Sequence, residues 1–108
     1  MDQSGQVRYV FQGIDFEWHL LKAEVNWVKH GIKFEDAAVA FVDEFARLID
    51  DPKHSEDEPR FLHFGMTAEH GLLVVVYVER GSAVRIISAR AATRTERRVY
   101  DREAGVGV

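Results

Sequence analysis

The run LLVVVYV, residues 72–78, constrains the fold more than any other feature of this chain. A strand with one solvated face alternates apolar and polar side chains. An unbroken apolar run of this length belongs to a strand buried on both faces, so the rest of the chain must cover two sides of it. Turn signals bound it, TAEHG before and ERGS after. RFLHFGM upstream and AVRIISAR downstream then read as antiparallel neighbours, with the apolar run at the centre of a meander. ARLID, residues 46–50, reads as a short edge strand. The polar loop DPKHSEDEPR, which holds both prolines of the chain, separates it from the meander.

Ahead of the sheet the apolar period changes. Trp18, Leu21, Val25 and Val28 recur at helical spacing and predict a helix that buries this stripe. Lys29 and His30 suit the negative end of its dipole, and Gly31 stands where a left-handed C-cap is needed. A second helix is expected from Phe34, with Glu35 and Asp36 in its first turn and Phe34, Ala37, Ala38, Phe41 and Phe45 as its buried stripe. Thr93 and Glu96 form a T-x-x-E capping box that opens a short arginine-rich helix. Ala92, Thr95 and Val99 give that helix a thin apolar edge. Residues 1–13 read as a loose lead-in with room for a short strand at Val7–Phe11, IDFEW as extended chain, and residues 104–108 as a frayed tail. The expectation is a single α+β domain over residues 14–103. Two N-terminal helices and a C-terminal helix pack on a small antiparallel sheet of about four strands.

Strand alternation assigns side chains to faces. One face collects Leu62, Phe64, Met66, Leu72, Val74, Val76, Ile87 and Ala89, together with Arg60 and Arg85. The other collects Phe61, His63, Leu73, Val75, Tyr77, Val84, Ile86, Ser88 and Arg90. The first, being greasier, is expected to meet the two N-terminal helices. A single bulge would exchange the two sets beyond it.

Composition excludes several classes. With no cysteine among 108 residues there is neither a disulfide framework nor a thiolate metal site. No stretch is apolar enough for a signal peptide or a membrane span, so a cytoplasmic location without membrane contact is the expectation. Charge is more telling. Residues 1–79 carry 7 basic and 15 acidic side chains, whereas residues 80–108 carry 7 arginines and 3 acids, in a chain of net charge −4. Such asymmetry points to an anionic ligand, nucleic acid first, or to a solvated helix face laced with ion pairs.

No GxSxG, HExxH, P-loop or GxGxxG pattern occurs. His19, His30, His54, His63 and His70 show no metal-ligand spacing, so neither a metal nor any other cofactor is expected. Arginines within strands need partners. Arg85 and Arg90 are the first candidates to hold a phosphate through their planar forks, the rival partners being Glu79, Glu58 or Asp50. His54, in a loop beside Ser55, Glu56 and Glu58, is a candidate proton donor.

The segments FEW, KHG with FEDA, DP-x-HSE, LLVVVY-x-ERG and RIISAR-x-AT with ERR, spread from about Phe16 to Tyr100, resemble the BrnT family of bacterial type II toxins. The resemblance implies a compact relative of the RelE-type ribonuclease fold and an activity that cleaves RNA and stops translation. It also implies silencing by a BrnA-type antitoxin in a 2:2 complex, with operator DNA bound only through the antitoxin. The matched positions are Lys22, Asn26, Lys29, His30, Gly31, His54, Glu56, Arg60, Arg80, Arg85, Ser88, Arg90, Arg97 and Tyr100. The chain departs from the family pattern at His19, Leu20 and Leu21, where acids are common, and at Ala91, where a lysine is common.

On this reading the chain is a metal-independent endoribonuclease. Arg85 and Arg90, helped by Arg60 or Arg80, steady the phosphate, and His54 or Glu58 moves protons. Lys29, Tyr77, Ser88, Arg97 and Tyr100 contact RNA. Two other readings stay open: a binding module without chemistry, and a corepressor acting through its partner's DNA-binding domain. The nuclease reading requires an open, positively charged hollow near the arginines. It fails if they are locked onto the molecule's own acids with no such hollow nearby.

Overall fold

The computed structural model describes residues 4–51 and 58–103. Six strands form one mixed sheet in the order β1-β2-β6-β5-β4-β3. They are β1 (Gln6–Phe11), β2 (Ile14–His19), β3 (Arg47–Asp50), β4 (Phe61–Thr67), β5 (Gly71–Arg80) and β6 (Ala83–Ala91). The helices are α1 (Leu20–His30), α2 (Phe34–Val39), which runs into a 3₁₀ turn at Ala40–Val42, and α3 (Arg94–Glu103).

The meander is as expected, with β5 at its centre and Leu73, Val74 and Val75 fully buried. The N-terminal side differs from the expectation of about four antiparallel strands preceded by helices. Residues Gln6–His19 form a hairpin, β1 and β2, closed by Gln12 and Gly13 with φ of 52° and 79°. Positive φ at both turn residues gives the twist that suits a two-residue hairpin. β2 then adds to the sheet in parallel with β6 through Phe16↔Val84 and Glu17↔Arg85. The lead-in therefore holds an edge strand, Gln6–Phe11, where the sequence leaves room for a short one at Val7–Phe11, but it is paired with β2 rather than loose. The tail at residues 104–108 lies outside the described residues.

The first helix starts two residues later than its apolar period suggested. Ile14, Phe16 and Trp18 alternate at period two, and Trp18 stays on β2, packed between Tyr9 and Phe34. His19 caps α1 by accepting a hydrogen bond from the Leu21 N–H at Nδ1. Gly31 ends the helix at φ 69°, its N–H donating to the Trp27 carbonyl, as the KHG stop predicts. The expected buried stripe is not buried: Leu21, Val25 and Val28 are 61%, 62% and 86% exposed. What α1 turns inward is Asn26. On α2, Phe34, Ala37 and Ala38 are buried as expected, whereas Phe45 lies beyond the 3₁₀ turn and is half exposed.

The sheet is covered on both faces. The larger core joins Phe16, Trp18, Ile32, Phe34 and the α2 alanines to Leu73, Val75, Ile86 and Ala89. The smaller core joins Phe64, Leu72 and Val74 to Tyr100 of α3. The N-terminal helices thus meet the opposite β4–β5 face from the one expected. A bulge between Val76 and Tyr77 in the β5–β6 pairing explains the rest. Tyr77 faces Ile86 and Val76 faces Ser88, so Ile87 is the extra residue. Beyond it Ala89 joins the larger core. Arg85, Ser88 and Arg90, opposite Val78, Val76 and Val74, all fall on the face away from α2.

Candidate active site

The site begins with an incomplete pairing. β6 is nine residues long, but β2 accompanies only Val84 and Arg85. At His19 the chain leaves the sheet and α1 runs alongside the vacated edge of β6. An open edge inside a protein would leave backbone groups unpaired. Asn26 fills that role: its amide accepts from the Ala89 N–H and donates to the Ala89 carbonyl and to the Ile32 carbonyl, each at 2.9 Å. One side chain stands in for the missing strand and fixes α1 against β6.

Because a helix is wider than a strand, a groove of about 620 Å³ remains between them. Leu21, Lys22, Val25, Asn26, Lys29 and His30 line it from α1, and Ile87, Ser88 and Arg90 from β6. Lys22, Asn26 and Lys29 follow i, i+4, i+7, so anchoring Asn26 places both lysines along the groove. The lining includes three permanent cations and one imidazole, and no carboxylate. An open cationic hollow is therefore present, built largely by the first helix.

The arginines themselves are held by the molecule's own acids. Arg90 grips Glu96 through two bonds of 2.8 and 2.9 Å. Glu96 at the same time closes the expected capping box with Thr93. The bonds from Arg90, together with those from Thr93, outweigh burial and hold the Glu96 carboxyl down at about 2. Arg85 pairs at 2.7 Å with Glu17, its neighbour across the parallel ladder, rather than with Glu79, Glu58 or Asp50. Arg80 pairs with Glu58 at 2.7 Å, beside a separate hollow lined by Glu58, Pro59, Phe61 and Glu79. Arg97 pairs with Asp101 one turn along α3. Arg60 precedes β4, its carbonyl accepting from the Asp51 N–H. Of the expected set, Lys29, Ser88 and Arg90 come together in the groove. His54 and Glu56 lie outside the described residues.

Neither tyrosine presents a ring to a base. Tyr77 is 8% exposed and packs against Phe41 and Phe61. Burial, with the Glu79 charge nearby, raises its pKa. Tyr100 is 5% exposed and its hydroxyl donates to Asp43. Burial and that bond push it up to about 12. Asp43 also accepts from the Met66 and Phe45 N–H groups, so it closes the β4 edge where β3 is absent, much as Asn26 closes β6. Burial opposes its ionisation, but these bonds still lower its pKa.

Beside Asn26, the groove residues that local pattern missed, and that only the resemblance matched, are Lys22 and His30. The signal was present in their spacing to Asn26, but Lys29 and His30 read first as a helix stop. Elsewhere Asp36, Glu69 and His70 converge within 4.8 Å, with His70 Nε2 3.0 Å from Asp36. None of the three lines the groove.

The Glu96 pairing predicts an acid limb of stability. Its carboxyl lies at about 2 when folded and near 4.5 when free, so its contribution is complete above about 4.5 and lost as pH falls through about 2. With Arg90 partly solvated, the contribution is about 1–2 kcal/mol. Glu96→Gln should remove most of this slope in urea unfolding between those pH values. An unchanged slope would refute it.

A family model described as "Ribonuclease toxin, BrnT, of type II toxin-antitoxin system" matches residues 18–96. The chain belongs to the BrnT family of ribonuclease toxins. The matched span runs from the end of β2 through the capping box, so it takes in every element that lines the groove. The fold is also that of a solved relative, the ribonuclease toxin BrnT of Brucella abortus. It is 24% identical, with a TM-score of 0.55, over 71% of this chain and 94% of that one. No curated protein matches the chain. Membership implies an antitoxin partner. Among the described residues no helix is long and apolar enough to cross a membrane.

Proposed function

We propose that this chain is a metal-independent endoribonuclease that acts in the groove between α1 and β6. Its cleavage of RNA stops translation until a BrnA-type antitoxin binds. The carrying observation is the groove lining: Lys22, Lys29 and Arg90 converge with Ser88 and His30, and the lining holds no acid, Glu96 meeting Arg90 from outside it. Such a donor set suits a phosphodiester and offers a metal ion little, because hard cations need oxygen ligands.

In the proposed reaction the ribose 2′-oxygen attacks the adjacent phosphorus and gives up its proton. The bond to the 5′-oxygen breaks, and that oxygen takes a proton as it leaves. The products are a 2′,3′-cyclic phosphate and a 5′-hydroxyl. Lys22 and Lys29, with Arg90 beside them, neutralise the charge that grows on the phosphate. Both fork nitrogens of Arg90 are taken up by Glu96, so the lysines carry most of this task. His30, the imidazole in the groove lining, is the proton-transfer candidate.

The test is labelled RNA incubated with purified protein in excess chelator. Cleavage to cyclic phosphate and 5′-hydroxyl ends is expected. Intact RNA with a salt-dependent gel shift would instead support the binding-module reading, which the self-pairing of Arg80, Arg85, Arg90 and Arg97 favours.

A further inference from the structure

The outward side of α1 carries an apolar stripe of Leu21, Val25 and Val28, 61%, 62% and 86% exposed, with Leu20 and Trp27 beside it at 47% and 53%. Single exposed apolar side chains need no explanation, but five on an 11-residue helix form a patch. The relief of the patch is specific. The cationic groove lies along one flank, and a second hollow of about 310 Å³, lined by Glu24, Val25, Val28 and Lys29, opens on the stripe itself. Ridges and hollows along a helix are the relief into which another helix packs.

Charge selects the occupant. The groove-side rim of the ridge is Lys22, Lys29 and His30, on a chain whose net charge is −4. A partner that puts apolar side chains over Val25 and Val28 needs acidic ones over Lys22 and Lys29. A second copy fits poorly, because a two-fold pairing would bring this cationic rim against itself. We infer that the outer face of α1 docks an amphipathic, acidic helix of the antitoxin, and that this helix, once seated, also lies across the mouth of the groove. The inference rests on the proposed reading in one respect, that the groove is where RNA is cut. Inhibition then follows from one contact, since the ridge that binds the antitoxin is one wall of the site.

The test uses the full chain and the antitoxin encoded in the same operon, each purified, with affinity measured by calorimetry. Val28 is exposed and does not line the groove, so Val28→Asp should fold and cleave RNA like the wild type. Its affinity for the antitoxin should fall roughly 100-fold, as for a charge placed at the centre of an apolar interface. Antitoxin at a concentration that silences the wild type should then leave the variant active. Unchanged affinity of Val28→Asp overturns the inference. So does a wild-type dimer that the substitution dissociates while antitoxin affinity stays the same, since the face would then join two copies. If the wild type cleaves no RNA, the nuclease reading falls, and the affinity comparison still decides the docking site.

Discussion

Asn26→Ala is expected to remove about 3–5 kcal/mol of stability, a large part of the 5–15 kcal/mol typical of a small domain. The substitution deletes no large apolar surface. It strands three backbone groups, the N–H and carbonyl of Ala89 and the carbonyl of Ile32, now held by an amide that is 4% exposed. Each buried group left without a partner costs roughly 1–3 kcal/mol. Water entering from the neighbouring groove offsets part of this, which sets the lower end of the range. Asn26→Asp separates the contributions. It keeps the acceptor for the Ala89 N–H, loses both donations and places a charge where there is little solvent, so it should be at least as damaging at neutral pH. In urea the midpoint should fall by more than about 1 M for the alanine variant. A shift below about 0.3 M would mean that α1 is held by something other than this amide.

Asn26 also shows where the sequence was legible and where it was not. The sheet centre could be read because an unbroken apolar run has one economical solution, burial on both faces, and the turns beside it punctuate in local chemistry. The KHG stop and the Thr93–Glu96 box were legible for the same reason, since each is closed within a few residues. The parallel join of β2 to β6 was not, because its partners lie 68 residues apart and rest on two ladder positions. The register was lost at Ile87, since nothing in RIIS marks which isoleucine is the extra one. The apolar stripe of α1 misled for a physical reason. Period shows which residues share a face but not whether this chain or another covers it. Here Asn26, which a hydrophobic pattern discounts, fixes the inward face, and the valines are left outside.

The arginine-rich segment misled in a related way. Its charge excess is real, but four of its members meet carboxylates of the same chain. Glu17 and Glu58 come from distant parts of the sequence, and no local window pairs them with Arg85 and Arg80. Within the groove, the cations that meet no carboxylate are instead Lys22 and Lys29, in the half of the chain whose net charge is acidic. Net charge by segment therefore pointed to residues 80–108 and passed over the helix whose lysines line the groove.

The second large effect separates these two kinds of cation. Lys22→Ala with Lys29→Ala should lower RNA cleavage by about 10²–10³-fold, the loss usual when a fixed group facing the developing charge is removed. Both lysines are exposed, so the unfolding midpoint should stay where it is. Arg85→Met should do the reverse. Its partner Glu17 has a side chain only 9% exposed, and a buried carboxylate deprived of its cation costs about 3–5 kcal/mol. The folded fraction of Arg85→Met should nonetheless cleave at close to the wild-type rate, because Arg85 does not line the groove. Single-turnover cleavage, normalised to the folded fraction by circular dichroism, reads both variants on one scale. If the lysine pair cuts normally and Arg85→Met does not, the reactive phosphate sits on the sheet face near Glu17, and the groove beside α1 serves some other ligand.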